Sequence, residues 1–446
     1  MANLFEMELL NDINGADDGA GTVRLLNSGR RLKVLVLDEE IPYPPNSGKR
    51  IRTWNLLQRL AKRHSVSLLC YGQPDDAAVE TVRKAGIKTH LIKPQANPKG
   101  WSLYARLFFN LFSTLPFSVT KHYSRRFRTT LRGLLAQESW NLVQCEWTPY
   151  ARFLTRGCPF PVLVSTHNVE SQIWARRKQN ARNPISKMFF WTQEHKMRRF
   201  ERRALMRCSR VTAVTQGDVE TIRGWGVKKV KLIPNGADLE SFIPVPDAER
   251  ENVILAIASL DWYPNIDALQ YFTREILPLI SVRNPQARFR IVGRRPSGSV
   301  RTQFSSIPNV DFTGEVESVV SCLAQAAVFV VPLRVGGGSR IKILEALAAG
   351  KAIVSTSIGA EGLNVTDGKH LLIADSPSDF ARCVQELLAS KELRRKLGEE
   401  GRNLVTTFYG WDGIAAQMES AWIRTSLEQA SAASACSTQQ EVHAIP

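Results

Sequence analysis

The sequence predicts an α/β protein built from two doubly wound domains that face each other across a cleft. Short apolar segments alternate with helical stretches along the chain, an order typical of a parallel sheet covered by helices. The alternation begins at Arg31–Asp38 and starts again at Asn252–Ala258. A length of 446 residues also favours two domains over one.

The most informative segment runs from Val330 to Leu363. The apolar run where it begins, Val328–Leu333, has the composition of a buried parallel strand. Three glycines follow at 336–338, and Ser339 could cap a helix that begins near Arg340. A glycine loop at a helix N-terminus lets backbone N–H groups approach an anion closely. The segment therefore has the pattern of an anion-binding turn.

Charged side chains of the same helix extend this interpretation. Arg340 and Lys342 place positive charge in the first turn, where the helix dipole favours negative charge, so a bound phosphate explains them better than helix stability does. Glu345 could bind vicinal hydroxyls, and the set suits a phosphorylated sugar or a nucleotide. The alternative is an ordinary β–α–β crossover whose glycines only make a tight turn. The loop fits neither the dinucleotide-binding pattern nor the P-loop pattern.

The first domain is predicted over residues 30–240, and residues 1–29 are expected to lack fixed structure. The first strand leads into the loop PYPPNSGKRIR, where a helix is expected from about Lys49, directly after Gly48. Further strands are predicted at Ser65–Tyr71, Thr89–Ile92, Leu142–Trp147, Pro161–Ser165 and Val211–Thr215.

Polar residues stand at the carboxyl ends of two of these strands. Glu146 ends one strand, and His167, Asn168 and Glu170 follow the next. Ligands of open α/β sheets bind at the carboxyl ends of strands, so these four side chains are candidates for function. For His167, a catalytic or acceptor contact and a purely structural role remain equally open.

The excess positive charge is concentrated in one quarter of the chain. The chain carries a net charge of +17. Residues 101–210 contain 20 Lys and Arg but only 5 Asp and Glu, whereas basic and acidic residues are nearly equal in number over the rest of the chain. Such a patch suits an anionic partner, which could be a membrane surface, nucleic acid or a lipid-linked phosphate acceptor. The alternative is a basic face that is merely solvated and binds no partner.

The same quarter contains an aromatic-rich segment. Residues 99–135 mix aromatic side chains with arginines on predicted helices. We expect most of these aromatics to pack on the sheet and a few to contact a membrane. A long basic helix is predicted to follow over residues 187–207.

The second domain is predicted over residues 241–410. Its strands are expected at Asn252–Ala258, Ala287–Val292, Val310–Thr313 and Leu371–Ala374, besides the glycine-loop unit. One helix is expected from Ile266 to Ile280. A last helix at 411–425 could return to the first domain, and we expect the Ala-, Ser- and Gln-rich residues 426–446 to be disordered.

Composition excludes several classes of protein. No apolar run approaches the roughly 20 residues that cross a bilayer, and the acidic N-terminus lacks a signal peptide's pattern. Seven scattered cysteines without a C-x-x-C pair indicate reduced thiols in a cytoplasmic protein. There is no Asp-x-Asp and no histidine cluster, so we expect neither a metal nor a cofactor.

The order of the sequence motifs along the chain resembles that of the GT-B glycosyltransferases, most closely the retaining group 1 family, also called family 4. The resemblance covers about residues 31–424 and is most specific in the last of its motifs. These motifs are PYPPNSGKRIR, STHNVES, IPNGADLESF, ASLDWYPNIDAL, FRIVGRRP and GGGSRIKILEALAAGKAIVSTSIGAEGL.

The resemblance implies two Rossmann-like domains, with a nucleotide-sugar bound mainly by the second and the acceptor by the first. It implies catalytic roles for His167, whose carbonyl or ring would stabilise the transition state, and for Glu345, which would contact the ribose. The implied donor-binding residues are Gly48, Asn265, Gly293, Gly337, Gly338, Ser339, Arg340, Lys342 and Glu345. The acceptor-side candidates are Glu146, Asn168 and Glu170.

Two departures from the family pattern concern the donor site. The family's donor motif has two glutamates, and the first falls on Gly337 here, which leaves the sugar's identity open. The family's Arg and Lys after the first strand of the second domain are absent from SLDWYPN. We expect Arg340 and Lys342 to bind the diphosphate instead.

Four hypotheses follow from the sequence. The first is a metal-independent glycosyltransferase that acts on a glycan or lipid-linked acceptor in surface polysaccharide or lipopolysaccharide synthesis, in the cytoplasm or peripheral on the inner face of the cell membrane. The second is a GT-B-like nucleotide-sugar epimerase, and the third is a non-catalytic nucleotide-sugar-binding scaffold. Nucleic-acid binding is a weaker fourth, since no recognition module is present, and we expect no nucleic-acid partner.

Overall fold

The computed structural model describes residues 31–442 except 75, 95–99, 155–156, 182, 246–247, 261, 295 and 336–339. Two parallel sheets, one from each half of the chain, form its framework. The central strands of both sheets are buried almost throughout and rich in Val, Ile and Leu, which is typical of parallel sheets covered on both faces. The α/β class that the alternating pattern predicts is therefore confirmed.

The first sheet has seven strands in the order β3-β2-β1-β4-β5-β6-β7. The order reverses between β1 and β4, and such a reversal opens a crevice at the carboxyl ends of the two strands. The strands are β1 Lys33–Leu37, β2 Ser65–Tyr71, β3 Ile87–Ile92, β4 Leu142–Cys145, β5 Val162–Thr166, β6 Arg210–Ala213 and β7 Val230–Leu232.

Eight described α-helices accompany this sheet. Most begin at a capping side chain; Ser47, for example, accepts a hydrogen bond from the Arg50 backbone N–H at 3.3 Å. The helices are α1 Gly48–Leu60, α2 Ala77–Lys84, α3 Trp101–Leu111, α4 Phe117–Lys121, α5 Arg125–Gln137, α6 Glu170–Asn180, α7 Pro184–Leu205 and α8 Gln216–Gly224. A 3₁₀ turn spans Thr148–Phe153.

The second sheet has six strands in the order β10-β9-β8-β11-β12-β13, with its reversal between β8 and β11. The strands are β8 Arg250–Ser259, β9 Arg288–Arg294, β10 Val310–Gly314, β11 Ala326–Val331, β12 Ala352–Ser355 and β13 Leu372–Ile373. The helices are α9 Tyr263–Tyr271, α10 Leu277–Arg283, α11 Gly298–Ser305, α12 Val319–Gln325, α13 Ile341–Ala348, α14 Ser357–Ala360, α15 Pro377–Ala389, α16 Lys391–Phe408 and α17 Trp411–Val442.

The prediction of one continuous helix from Ile266 to Ile280 is wrong. A π-helical segment, Phe272–Ile276, separates α9 from α10. Pro278 stands near the start of α10, and proline has no N–H to continue the preceding hydrogen-bond ladder. The extra residue of the π turn accommodates that missing donor.

The C-terminal helix α17 packs on the first sheet. Trp411 and Trp422 are buried in the same apolar cluster as strands β1 and β2. Glu419 accepts from His64 Nε2 at 2.9 Å and pairs with Arg63 at 2.7 Å. A helix that follows the second sheet in sequence therefore ties the end of the chain to the first.

Over the described part of the tail, where disorder is expected from Ser426, helix α17 continues to Val442. Glu428 pairs with Lys229 at 2.6 Å and also with Arg210. The composition of 426–442, which lacks Gly and Pro, is compatible with a helix. Residues 443–446 and 1–30 lie outside the described residues.

The aromatic-rich segment also differs from expectation. It forms α3, α4 and α5, but most of its aromatic side chains do not pack on the sheet. Only Phe127 is fully buried, whereas those of α3 and Phe112 point outward. Aromatic composition is the same for a core helix and for a helix that faces another apolar phase, so the sequence could not separate the two.

Candidate functional site

A cleft with a volume of about 750 Å³ lies where the carboxyl ends of the two sheets face each other. Its first-half wall includes the start of α1 and the residues after β5; its second-half wall includes the ends of β8 and β9 and the first turns of α13. Of the predicted donor-site residues, the cleft brings together Gly48, Asn265, Gly293, Arg340, Lys342 and Glu345, with His167 and Asn168 opposite.

The N-termini of two helices meet at this cleft. A Cβ added to Gly48, the first residue of α1, would lie 3.7 Å from Cδ1 of Ile341, the first residue of α13. Each N-terminus presents backbone N–H groups and the positive end of a helix dipole. The cleft therefore offers an anion two such ends at once.

Lys342, in the first turn of α13, adds an amino group to the same cleft. Its Nζ donates to the Ile257 carbonyl at 3.2 Å and to Asn265 Oδ1 at 3.3 Å. Burial, with repulsion from Arg340, lowers the Lys342 pKa to about 7, and burial lowers the Arg340 pKa to about 10. A bound anion would restore the charged form of the lysine.

Glu345 lies one turn into α13 and also lines the cleft. Burial, with repulsion from Asp238, raises its pKa to about 8. The carboxyl group is therefore largely protonated at neutral pH when the cleft is empty, and it can both donate and accept hydrogen bonds. This chemistry suits neutral hydroxyl groups rather than another anion.

The glycine loop itself lies outside the described residues, so Gly337, Gly338 and Ser339 stay predictions. The helix begins one residue later than expected, at Ile341, and Arg340 occupies the N-cap position without a side-chain capping bond.

Gly293 and Asn265 shape the rest of the second-half wall. A Cβ on Gly293 would lie 2.6 Å from Cδ1 of Leu260, so a side chain there would displace the loop after β8. Asn265 donates to the Ser259 carbonyl at 2.9 Å while it accepts from Lys342. Both residues therefore fix the shape of the pocket around the lysine.

Glu146 and His167 form a pair in the first half. His167 Nε2 lies 3.1 Å from Glu146 Oε2, and Gln144 donates to the other carboxylate oxygen. Burial lowers the His167 pKa, although the hydrogen bond and charge of Glu146 oppose this effect. The pair holds the imidazole in one orientation at the cleft.

The expected acceptor contact of Glu146 is not supported by this geometry. The side chain is fully buried and lines neither of the two cavities between the halves. It contacts His167 instead, and its acceptor role stays a prediction. A carboxylate at a strand end can point into the cleft or under the next loop, and the sequence does not distinguish these directions.

A buried ion cluster at the end of β1 is a feature that the sequence analysis missed. Lys49 Nζ lies 2.5 Å from Asp38 Oδ1 and 2.8 Å from Glu39 Oε1. Burial raises the Asp38 pKa to about 7 despite the lysine. The signal was an aspartate at the carboxyl end of the first strand, followed by a lysine in the first turn of the next helix.

A second cavity of about 790 Å³ adjoins the cleft; we call it the aromatic cavity, because five aromatic side chains line it among polar and charged ones. Trp147, Trp174 and Trp262 line it together with Glu170 and Asn168. Trp147 Nε1 donates to Glu170 Oε1 at 2.9 Å, and burial raises the Glu170 pKa to about 7. Two of the three predicted acceptor-side residues therefore lie in one pocket.

Contacts between the halves close the side of this pocket. Arg176 of α6 forms a two-point ion pair with Glu361, at 2.9 and 2.7 Å. Arg177 lies over the rings of Trp174 and Trp262, at 5.2 and 5.6 Å from their centroids. Both arginines belong to the first half, and Glu361 and Trp262 belong to the second.

Two further properties concern metals and membranes. Among the described residues, no cluster of three His, Cys, Asp or Glu side chains could hold a metal ion. Within the same part of the chain, none of the helices combines the length and apolarity that crossing a bilayer requires.

Two protein-family models match the chain. The model described as "Glycosyl transferase 4-like domain" matches residues 47–236, and the model described as "Glycosyl transferases group 1" matches residues 251–390. The first match includes the Gly48 helix and the Glu146–His167 pair, and the second includes the glycine-loop unit. The two models therefore cover both walls of the cleft.

Individual relatives agree with these models. A Klebsiella pneumoniae protein described as an uncharacterized 44.6 kDa protein in the cps region is 22% identical over 373 residues, which is 79% of this chain and 90% of that protein. The MMP alpha-(1->4)-mannosyltransferase of Mycolicibacterium hassiacum is 23% identical over 417 residues, 90% and 93% of the two chains.

A solved structure is similar in fold. Crystalline Anabaena HepE, in complex with UDP and glucose, superposes with a TM-score of 0.63 at 12% identity, covering 88% of this chain and 99% of HepE. The paired sheets of this chain are therefore those of the GT-B fold, as the sequence predicts. With both halves matched by family models, the chain belongs to the group 1 (family 4) glycosyltransferases and is an enzyme of EC class 2.4.

Proposed function

We propose that this glycosyltransferase moves a sugar from a nucleotide-sugar to a glycan or lipid-linked acceptor in surface polysaccharide or lipopolysaccharide synthesis. The observation that carries the donor assignment is the meeting of the α1 and α13 N-termini beside Lys342 and Glu345. The relative from a cps region supports the polysaccharide context.

The donor's diphosphate would lie between the two helix N-termini, with Lys342 and Arg340 as its cations. Glu345 would bind the ribose hydroxyls, since its raised pKa lets it donate as well as accept. HepE binds UDP and glucose, which makes a UDP-sugar the first donor to test. The loop at 336–339 would complete the phosphate site.

The reaction proposed is a retaining transfer without a metal. The bond between the anomeric carbon and the phosphate oxygen breaks, and the acceptor hydroxyl bonds to that carbon on the same face. The acceptor's proton passes to the leaving phosphate oxygen, whose charge the two cations and the helix ends stabilise. His167 would stabilise the sugar's developing charge, and no role as a base is assigned to it.

The acceptor would enter through the aromatic cavity. Tryptophan rings suit the apolar faces of sugar rings, and Glu170 and Asn168 can bind hydroxyls. A pocket for a second substrate favours transfer over the epimerase hypothesis, and no specific observation favours the non-catalytic scaffold. The basic residues of 101–210 would hold this side of a cytoplasmic enzyme against the anionic inner face of the cell membrane.

A thermal-shift panel tests the donor site. UDP, GDP, ADP and CMP and their sugar conjugates would be compared on the natural protein, Glu345→Gln and the exposed control Glu386→Gln. A ligand at 100 times its Kd should stabilise the protein by about 2.7 kcal/mol. We expect one nucleotide family to raise the Tm of the natural protein and the control, with a reduced shift in Glu345→Gln.

The opposite outcomes are equally informative. An absence of shift with every nucleotide would contradict the donor site, and an undiminished shift in Glu345→Gln would remove Glu345 from it. Labelled sugar would then be offered with membranes, and the anomeric configuration of the product would test retention.

A further inference from the structure

Helix α3, on the first half, presents apolar side chains to solvent, whereas a surface helix of a protein in water normally presents polar ones. Helix α3 exposes its aromatic side chains, while its buried residue is the polar Asn110. Trp101 is 89% exposed, Phe109 70% and Phe112, directly after the helix, 77%. Asn110, in contrast, is buried. Monomeric proteins rarely present so many adjacent exposed aromatic groups without a partner.

Polar contacts hold this helix in place. Asn110 Oδ1 accepts from Gln193 of α7 at 3.0 Å, and Asn110 Nδ2 donates to Thr120 Oγ1 at 3.1 Å. Lys196 caps the end of α3 by donating to the Asn110 and Leu111 carbonyls, at 2.7 and 3.0 Å. The outward aromatics are therefore displayed by a fixed element with defined contacts to the protein body.

Helix α7, which Asn110 contacts through Gln193, also has an exposed apolar stripe. Its first turns expose Ile185, Met188 and Trp191, three residues apart, and its later turns expose Arg198 and Arg202 on the continuing stripe. Apolar residues at one end and cations at the other are typical of an element that lies at a membrane interface, with its cations at the headgroups.

We propose that α3 with Phe112 and the first turns of α7 form a lipid-facing surface that inserts into the interfacial region of an anionic bilayer, at the depth of the lipid headgroups. We call it the α3/α7 face; it comprises Trp101–Phe112 and Ile185–Trp191. The 11 residues of α3 are too few to span a bilayer, so the helix lies in the plane of the interface.

Charge decides between a bilayer and a second copy of the chain. The α3/α7 face carries Arg106 and Lys187 and no acidic residue, and further exposed arginines follow on α7 at 198, 199, 202 and 203. A two-fold symmetric dimer would place the same surface against itself and bring like charges together. An anionic bilayer attracts those cations and accepts the aromatics, so it satisfies both parts of the face.

The inference deepens the proposed function, because it identifies where the enzyme meets a lipid-linked acceptor. The route to the site is short. Ser118 of α4, the helix that follows α3, lines the aromatic cavity, and so does Phe190 of α7. An acceptor whose lipid lies in the bilayer could therefore present its head to the pocket without leaving the membrane.

The test is co-sedimentation of the full chain with vesicles of phosphatidylcholine, alone or mixed with phosphatidylglycerol. The test variant is Phe109→Ser/Phe112→Ser, and the control is Val282→Ser, an 82% exposed apolar residue on α10. We expect the double variant to bind mixed vesicles at least about tenfold more weakly, since two phenyl groups leave the apolar phase, and the control to bind unchanged.

Salt separates the apolar part of binding from the electrostatic part. Raising the salt concentration screens the cations, so the natural protein should keep a residual affinity that the double variant lacks. Equal vesicle affinity of the double variant and the natural protein would overturn the proposal. A lipid-free dimer, seen by light scattering and abolished by the same substitutions, would also overturn it in favour of a second copy.

The outcome stays separate from that of the donor site. The nucleotide-induced rise in Tm is measured without lipid, and it also reports whether the double variant is folded. Vesicle binding without any nucleotide shift would contradict the donor proposal alone. A nucleotide shift with unchanged vesicle binding in the double variant would contradict the α3/α7 face alone.

Discussion

Two buried lysines, one in each half of the molecule, meet opposite surroundings. Lys49 of α1 lies between Asp38 and Glu39, and despite burial these carboxylates raise its pKa above the usual value. Lys342 of α13 contacts a carbonyl and an amide, and burial with the nearby Arg340 lowers its pKa to about 7. The first lysine has its counter-ions within the protein, whereas the second lies where a ligand must supply one.

The difference separates a structural charge from a binding charge. A buried ion pair loses much stability when one partner is removed. A buried lysine beside another cation costs stability in the empty protein and regains it when an anion binds. Substituting each lysine should therefore produce opposite results for folding and for donor binding.

The largest effect is expected for folding. Lys49→Met leaves the buried Asp38 and the partly exposed Glu39 without their cation, so the free energy of unfolding should fall by up to about 3–5 kcal/mol at pH 7. Lys342→Met should leave stability unchanged or higher. Urea unfolding followed by far-UV circular dichroism measures both variants. Equal losses in the two would show that Lys342 is also a structural charge.

Donor affinity should follow the reverse order. Lys342→Met removes a charge-assisted hydrogen bond to the diphosphate, which is worth about 1.5–3 kcal/mol, or roughly 10- to 150-fold in Kd. The exposed Lys391→Met on α16 is the matched control and should bind normally. Isothermal titration with the nucleotide-sugar found by the thermal-shift panel gives the values. Normal binding by Lys342→Met would assign the diphosphate to other groups.

The same two lysines show which contacts of the cleft a sequence pattern can predict. The glycine loop and the cations of α13 are adjacent in sequence, so the pattern predicted Arg340, Lys342 and Glu345 as one site. The contacts of Lys49 join a strand end to a later helix, and only the folded chain brings them together. Local patterns therefore predicted the second-half wall better than the first.

The errors elsewhere have the same origin. The strands were predicted well because a buried parallel strand is a continuous apolar run. The exposure of α3 and the depth of Glu146 depend on which side of an element faces the protein. The length of α17 was missed because Ala, Ser and Gln fit both a helix and an unstructured tail. In each instance composition permitted two environments, and tertiary packing selected one.

The pH dependence of donor binding is the next and smaller effect. With a pKa of about 7 in the empty site, Lys342 loses its proton as the pH rises above 7. Binding of a diphosphate must then return a proton, so affinity should fall by at most about tenfold per pH unit. Titration calorimetry at pH 8 in buffers of different ionisation enthalpy should detect proton uptake.

Glu345 is the group that could make donor binding release a proton instead of taking one up. Its pKa of about 8 means that binding ribose as a carboxylate would release a proton. Glu345→Gln removes that contribution and should leave uptake from Lys342 alone. Lys342→Met should show no uptake between pH 7 and 8. Persistent uptake in that variant would place the titrating group elsewhere in the cleft.

The smallest effect is expected where the two halves meet at the surface. Arg176 and Glu361 form a two-point ion pair, but both side chains are partly exposed. Water screens such pairs, so Arg176→Ala should lower the free energy of unfolding by less than about 1 kcal/mol. The same urea experiment measures it beside Lys49→Met. A loss as large as that of Lys49→Met would mean that this pair, rather than the bound donor, holds the halves together. A small loss is consistent with halves that can separate to exchange substrates, because the strong ion cluster then lies within the first half and the contact between halves is weak.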